Sequence, residues 1–436
     1  MNVIGFLKVA LLALMLQGYA ANVLAALNIQ HWTTAEGSEV YFVENHSLPM
    51  MDVSINFRAG SAYDKPETGG TAAVTHHLMA LVAGGLEEEA LTNRFADIGA
   101  VLGGSFDADR ASFKLRTLTS EQQAALDAFA LVLHQPDFPP AVLAREQARI
   151  VAALQEAETE PDSIAQKAFM QSVYGMHPYS LDQNGEISTV QSLTVAQLRQ
   201  FYQTYYTAKS AVIAMMGDLT TEQARQIAAR LSAGLPQSAA VAPVPPVTAP
   251  ASASVKKLPH PAVQAHILLG QPGNKRGDAD FFPLYVGNYI LGGGGFVSRL
   301  TEEVREKRGL AYSVYSYFMP MSQLGPFQIG LQTKKEQADE ALKLVKETVQ
   351  QFVDKGVTEK ELAAAKDNLI GGFPLRIDSN SKILEYLNMI GFYQLPLDYL
   401  DNFNDHVAKV TVQQVNDAFK RRVHPESFAT VIVGAE

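Results

Sequence analysis

The feature that most constrains this chain is an internal repeat. Residues 190–219, VQSLTVAQLRQFYQTYYTAKSAVIAMMGDL, align without a gap to residues 407–436, VAKVTVQQVNDAFKRRVHPESFATVIVGAE, at an offset of 217. Val190 pairs with Val407, Leu193 with Val410, Thr194 with Thr411, Leu198 with Val415 and Gly217 with Gly434. Each copy reads as a helix, a turn and an apolar strand ending at glycine. Thr194 and Thr411 are the expected N-caps, since a threonine hydroxyl accepts from first-turn amides. Such a chain folds as two copies of one domain. Between them, residues 234–257, GLPQSAAVAPVPPVTAPASASVKK, show neither helical nor strand period. A Pro/Ala-rich segment of this kind predicts a semi-rigid spacer. The expected domains are therefore residues 26–233 and 258–436, with 234–257 as linker and 1–25 removed on export.

The pattern within each half sets the fold class. SEVYFVEN and MDVSINFRAG read as strands, the second alternating Val53, Ile55 and Phe57. Helical spacing follows at about 70–83 and 89–99, then a hairpin in GGSFDADRASFKLRTL, then long helices over about 120–133 and 140–158. In the second half AVQAHILLGQP and LAYSVYSYF are strands, and 280–291 and 297–308 are helical. Strands segregated from helices predict α+β: two tandem homologous domains, each an antiparallel sheet with helices packed on one face.

Composition removes several function classes. A net charge of −10 argues against nucleic acid, whose phosphates require a Lys/Arg surface. The absence of cysteine excludes disulfides, thiolate catalysis and cysteine-ligated zinc. The N-terminus has Lys8, a short apolar core over 9–16 and then small residues, with cleavage expected after Ala25 or, as the rival, Ala20. Gln17 and Gly18 interrupt the run before it reaches the ~20 residues of a membrane span. The expectation is a secreted protein, periplasmic in a Gram-negative source, with no membrane attachment after cleavage.

GGTAAVTHHLMALV, residues 69–82, carries two adjacent histidines. A metal site on one helix places ligands at i and i+4, where side chains share a face. Ala72 and Ala73 precede His76 and His77 by four, and Ala80 follows His76 by four. Adjacent helical side chains diverge by about 100°, so His76 and His77 do not grip one ion. The local reading is one satisfied core histidine and one exposed histidine.

FRAGSAYDKPETGGTAAVTHHLMALV nonetheless resembles the start of the insulinase-type (pitrilysin-like) zinc peptidases. In that family a helix carries His-x-x-Glu-His, and a glutamate on a later helix completes the zinc site. The resemblance places the first ligand position on Ala73, the base position on His76 and the second histidine on His77. The distal ligand position falls on Ala153 in REQARIVAALQEAETEPDS, with Glu156 and Glu158 further along and facing elsewhere. LTNRFADIGAVLGGSFDADRASFKLRTL and YGMHPYS extend the likeness, the latter with His177 in a structural turn. The resemblance implies a peptidase fold that has lost zinc and base: no cofactor on this chain, with zinc expected in a partner carrying His-x-x-Glu-His.

LGGGGFVSRLTEEVREKRGLAYSVYSYF, residues 291–318, resembles the family's second-domain signature. Gly292, Gly293, Gly294 and Gly295 predict a loop able to adopt positive φ and admit a neighbouring backbone. Lacking a following Gly-Lys-Ser/Thr, it is no phosphate cradle. The next segment predicts an amphipathic helix with Phe296, Leu300 and Val304 on its apolar stripe, ended by Gly309. Tyr312, Val314, Ser316 and Phe318 are expected on one strand face. Arg305 and Tyr312 stand seven residues apart, whereas Arg308 stands four from Tyr312. In the family an Arg and Tyr at that spacing reach across to hold the substrate carbonyl and developing oxyanion. A surface ion pair of Arg305 with Glu302 or Glu303 is the plainer alternative. GGFPLRIDSNSKILEYL, residues 371–387, resembles the family's late helical region.

The expected function is an exported non-catalytic subunit that binds peptide through Arg305, Tyr312, Phe296 and the glycines and completes a partner's site. A scaffold of the same fold without a role in proteolysis is the rival. A homodimer with residual metal activity through His76 and His77 is the third possibility.

Overall fold

The computed structural model of the chain describes residues 27–250 and 252–434; the expected signal segment, residues 1–25, lies outside them. The first half runs β1 Gln30–Thr33, β2 Glu39–Glu44, β3 Met50–Phe57, α1 Thr71–Met79, α2 Glu88–Ala96, β4 Val101–Phe106, β5 Ala111–Leu118, α3 Gln122–His134, α4 Pro140–Ala157, α5 Pro161–Tyr174, α6 Ile187–Ser192, α7 Val195–Tyr205, β6 Val212–Gly217 and α8 Thr221–Ala233. The second runs β7 Ser254–Leu258, β8 Gln264–Pro272, α9 Phe281–Asn288, β9 Ser313–Phe318, β10 Pro326–Lys334, α10 Ala338–Lys355, α11 Glu359–Gly372, α12 Asn380–Phe392, α13 Phe403–Lys409, α14 Val412–Arg422 and β11 Ala429–Val433. The sheets order as β1-β2-β6-β3-β5-β4 and β7-β11-β8-β10-β9. Apart from β1, the two orders superpose strand for strand. The duplication read from the terminal segments extends through both halves. Thr194 and Thr411 form the predicted caps, each in a capping box with Gln197 or Gln414.

Three expectations change. Each sheet contains one parallel pair, β2 with β6 and β7 with β11, so neither is purely antiparallel. The end of the expected linker is not spacer: Ser254–Leu258 is strand β7, hydrogen-bonded to β11. Earlier parts of it are docked too, with Val244 buried against Tyr179 and its neighbours, and the Pro245 carbonyl accepting from His177 Nε2 at 2.8 Å.

The third change concerns the sheet faces. Each half covers one face of its sheet with its own helices and receives a helix from the other half on the opposite face. In the first sheet, Phe42, Val53, Ile55, Phe113 and Met215 pack with the helices of their own half. Tyr41, Val43, Val212, Ala214 and Met216 join the core that includes Leu384 and Leu387 of α12. Reciprocally, α5 brings Ala165, Ala168 and Phe169 against Leu268, Val431 and Val433 of the second sheet. The residues dictate this. VIAMMG in β6 and ATVIV in β11 are apolar on both faces and entirely buried. A strand apolar on both sides requires a layer on each. Gly391 permits the close approach of α12, since a Cβ there would meet Val212 Cγ1 at 2.6 Å and Tyr41 Cδ2 at 2.7 Å.

Candidate functional site: a dismantled metal cleft and an exposed Arg/aromatic cluster

The helix α1 is held at its start by Asp64. Its carboxylate accepts from Gly70 N and Ala72 N, both at 2.9 Å. Burial pushes the Asp64 carboxyl up to about 7, although these two amides pull the other way. Two turns later the histidines diverge as their spacing requires. His76 lies against Phe113 and Phe106, with ring centroids 4.6 and 5.7 Å away. Its Nε2 donates to the Ser112 carbonyl at 3.0 Å, and burial holds its pKa down, so it sits as a neutral ring within apolar packing. His77 projects from the cleft floor, and its Nε2 is 2.9 Å from Glu146 Oε2. Both rings border an open cleft of about 510 Å³ walled by Leu91, Phe95, Gly103 and Gly104.

Glu146 is the residue that sequence reasoning passed over. It lies on α4 seven residues before Ala153, two turns along the same face, and that spacing was its available signal. Only 1% exposed, it is held by His77, by Arg145 Nε at 2.7 Å and by Arg149 Nη1 at 3.1 Å. Burial raises its pKa, but the His77 and Arg145 bonds outweigh it and leave the carboxyl below the usual range. A buried carboxylate is tolerable only with such partners.

Zinc does not fit these residues. Three protein ligands are needed in a catalytic site. Ala73 and Ala153 offer no donor, His76 is committed to Ser112, and His77 is paired with Glu146. Glu156 and Glu158 are exposed near the end of α4. Among the described residues no three His, Cys, Asp or Glu side chains converge as a metal site would require. The purified chain is therefore expected to carry far less than one zinc per molecule by elemental analysis, and a chelator is expected to leave its melting temperature unchanged. A chelator-induced fall in melting temperature would restore metal binding to His76 and His77.

In the second half the glycine run is not the expected loop. Tyr289–Gly293 continues α9 as a π-helical turn, and Gly295–Val297 is a 3₁₀ turn. Of the four glycines only Gly295 has positive φ, at 60°. Gly292 serves close packing: a Cβ would stand 2.4 Å from Ser316 Oγ and 2.6 Å from Ser316 N. The following helix is likewise π-helical over Thr301–Glu306, with Val304 buried but Phe296 71% exposed rather than on the apolar stripe. Phe296 falls outside the stripe because the 3₁₀ turn ends at Val297, before the helix begins.

Tyr312 also departs from its expected face. It precedes β9, and although its amide donates to Gln332 O, its ring is 76% exposed while Val314 and Ser316 are buried. The result is a cluster. The Arg305 guanidinium lies 4.9 Å from the Phe296 ring and 5.7 Å from the Tyr312 ring. The expected surface competitors are occupied otherwise: Lys307 pairs with Glu302 and Glu303, and Arg308 with Glu303. Among the described residues Arg305 has only Glu306, at 3.5 Å. Two exposed aromatics thus flank a weakly paired guanidinium, whose planar donors match carbonyl and carboxylate oxygens. Among the described residues, Arg305's partners Glu306, Phe296 and Tyr312 all lie in the second half.

Residues 39–184 match the insulinase (peptidase family M16) family, and residues 192–369 match the peptidase M16 inactive domain. A crystal structure of a peptidase M16 inactive domain from Pseudomonas fluorescens is similar at 38% identity and TM-score 0.91, covering 94% of this chain and 99% of that one. The non-peptidase homolog YmxG of Helicobacter pylori is 28% identical over 435 residues, 98% of each chain. The uncharacterized zinc protease YmxG of Bacillus subtilis is 25% identical, over 93% of this chain and 98% of its own.

Proposed function

This chain belongs to the insulinase (M16) peptidase family, with the metal set of its own cleft broken, and we propose that it is the exported peptide-binding subunit of a two-chain zinc endopeptidase. In this reading a partner bearing an intact His-x-x-Glu-His helix holds the zinc and the general base. This chain faces it, and Arg305 and Tyr312 complete the partner's site by donating to the substrate carbonyl and the oxyanion that forms from it. The observation that carries the reading is an asymmetry within one molecule. Two of its three metal positions are alanine, while Arg305 is half-buried and weakly paired and Tyr312 stands exposed. A purely structural chain has no need to hold a phenol and a guanidinium in water beside an exposed Phe296.

The test is reconstitution. Either chain alone is expected to show little cleavage of a quenched-fluorescence peptide library, and an equimolar mixture to show chelator-sensitive cleavage. Cleavage by the partner alone at the rate of the mixture would favour the scaffold. Export is tested by fractionating cells that express the full chain: recovery outside the cytoplasm, shortened to begin after Ala25 or Ala20, is the expected result.

A further inference from the structure

The duplication gives the second half a cleft equivalent to the one over His77. It lies between α9 and the edge strand β9, as the first lies between α1 and β4. Its volume is about 460 Å³, within the size range of small-ligand sites. The walls are largely aromatic. Phe281 and Tyr285 stack at 5.8 Å and 7°, with Tyr289, Phe318 and Leu369 around them.

Three polar groups stand in or at the mouth of this apolar cavity, and one of them is buried without a partner among the described residues. Asn274 is 1% exposed, lines the cavity, and its Oδ1 accepts no hydrogen bond among the described residues. The Tyr285 hydroxyl is buried beside the Arg376 guanidinium. Arg376 lies at the rim with its guanidinium 5.9 Å from the Tyr285 ring, exposed and without a carboxylate partner among the described residues. Leaving a buried polar atom unpaired is costly, and a ligand that supplies the missing partner regains that cost as affinity.

We propose that this cavity binds the C-terminal residue of a peptide carrying a bulky aromatic side chain. The ring enters among Tyr285, Tyr289 and Phe318. The terminal carboxylate pairs with Arg376, whose fork suits two carboxylate oxygens. The last peptide N–H donates to Asn274 Oδ1. The site is complete within this chain, so the inference stands whether or not a catalytic partner exists.

The test uses the full chain and N-acetylglycyl-L-tryptophan, as the free acid and as the C-terminal amide, followed by titration calorimetry. The free acid is expected to bind saturably, at least tenfold tighter than the amide. Arg376→Ala, at an exposed position that leaves the fold intact, is expected to weaken the acid at least tenfold and abolish the preference. Leu369→Trp, which fills the cavity, is expected to weaken both. Absence of saturable binding, equal binding of acid and amide, or undiminished binding to Arg376→Ala would each overturn the proposal.

Discussion

Asp109→Ala is expected to destabilise the folded chain by about 3–5 kcal/mol, the scale of removing a buried charge from its hydrogen-bonded partners. Asp109 sits in the turn of the β4–β5 hairpin and is 1% exposed. Its Oδ1 accepts from the Tyr179 hydroxyl at 2.6 Å. Its Oδ2 accepts from Ser322 N at 2.7 Å and the Tyr393 hydroxyl at 3.2 Å. The Tyr179 oxygen in turn accepts from Gln323 N at 3.1 Å. Asp109 and Tyr179 belong to the first half; Ser322, Gln323 and Tyr393 belong to the second. One carboxylate thus joins the halves through bonds of the charge-assisted kind, each contributing roughly 1.5–3 kcal/mol. Alanine would leave two phenols and an amide without their acceptor at the interface. The Lys114–Glu385 pair crosses the same interface but lies partly in solvent, where such pairs contribute about 0–1 kcal/mol. Denaturant unfolding of Asp109→Ala, Asp109→Asn and Lys114→Ala is expected to rank them in that order of damage. A change of less than about 1 kcal/mol for Asp109→Ala would show that the exchanged helices α5 and α12 alone hold the halves together.

That interface marks the boundary of what the residues revealed in advance. Local chemistry was legible: Thr194 and Thr411 cap their helices, the hairpin at residues 101–118 forms, and the two histidines point apart because 100° separates neighbours on a helix. The two alanines at ligand positions could be read directly, since Ala73 and Ala153 have no donor atom wherever they lie. Long-range exchange was not. The apolar runs VIAMMG and ATVIV announced two-sided burial, but nothing in them says whose helix supplies the second layer. Glu146 escaped because its role depends on His77 from another helix, and a lone Glu in a helix reads as solvated. The four glycines misled because a missing Cβ serves tight packing against Ser316 as readily as it serves positive φ. Tyr312 misled because strand alternation holds only inside the ladder, and its ring lies one residue before β9 begins.

The exposed cluster carries the second large effect. With an active partner present, Arg305→Ala and Tyr312→Phe are each expected to lower turnover by roughly 10²-fold, the scale of losing one oxyanion donor. The two substitutions divide the interaction differently. Tyr312→Phe keeps the ring beside Arg305 and removes only the hydroxyl. Its loss should appear in kcat, because a developing negative charge is bound more strongly than a neutral carbonyl. Arg305→Lys keeps the charge but loses the planar fork that lies between Phe296 and Tyr312, and a compact ammonium does not replace it. Phe296→Ala removes contact area without touching the reacting atoms, so it should raise KM and spare kcat. None of these side chains is buried, so melting temperatures are expected to stay within a degree or two of wild type, as surface substitutions do. Unchanged kcat for both Arg305→Ala and Tyr312→Phe, with the two chains still associating by sedimentation, would remove them from the chemistry. The chain would then act as a scaffold that shapes its partner without touching the scissile bond.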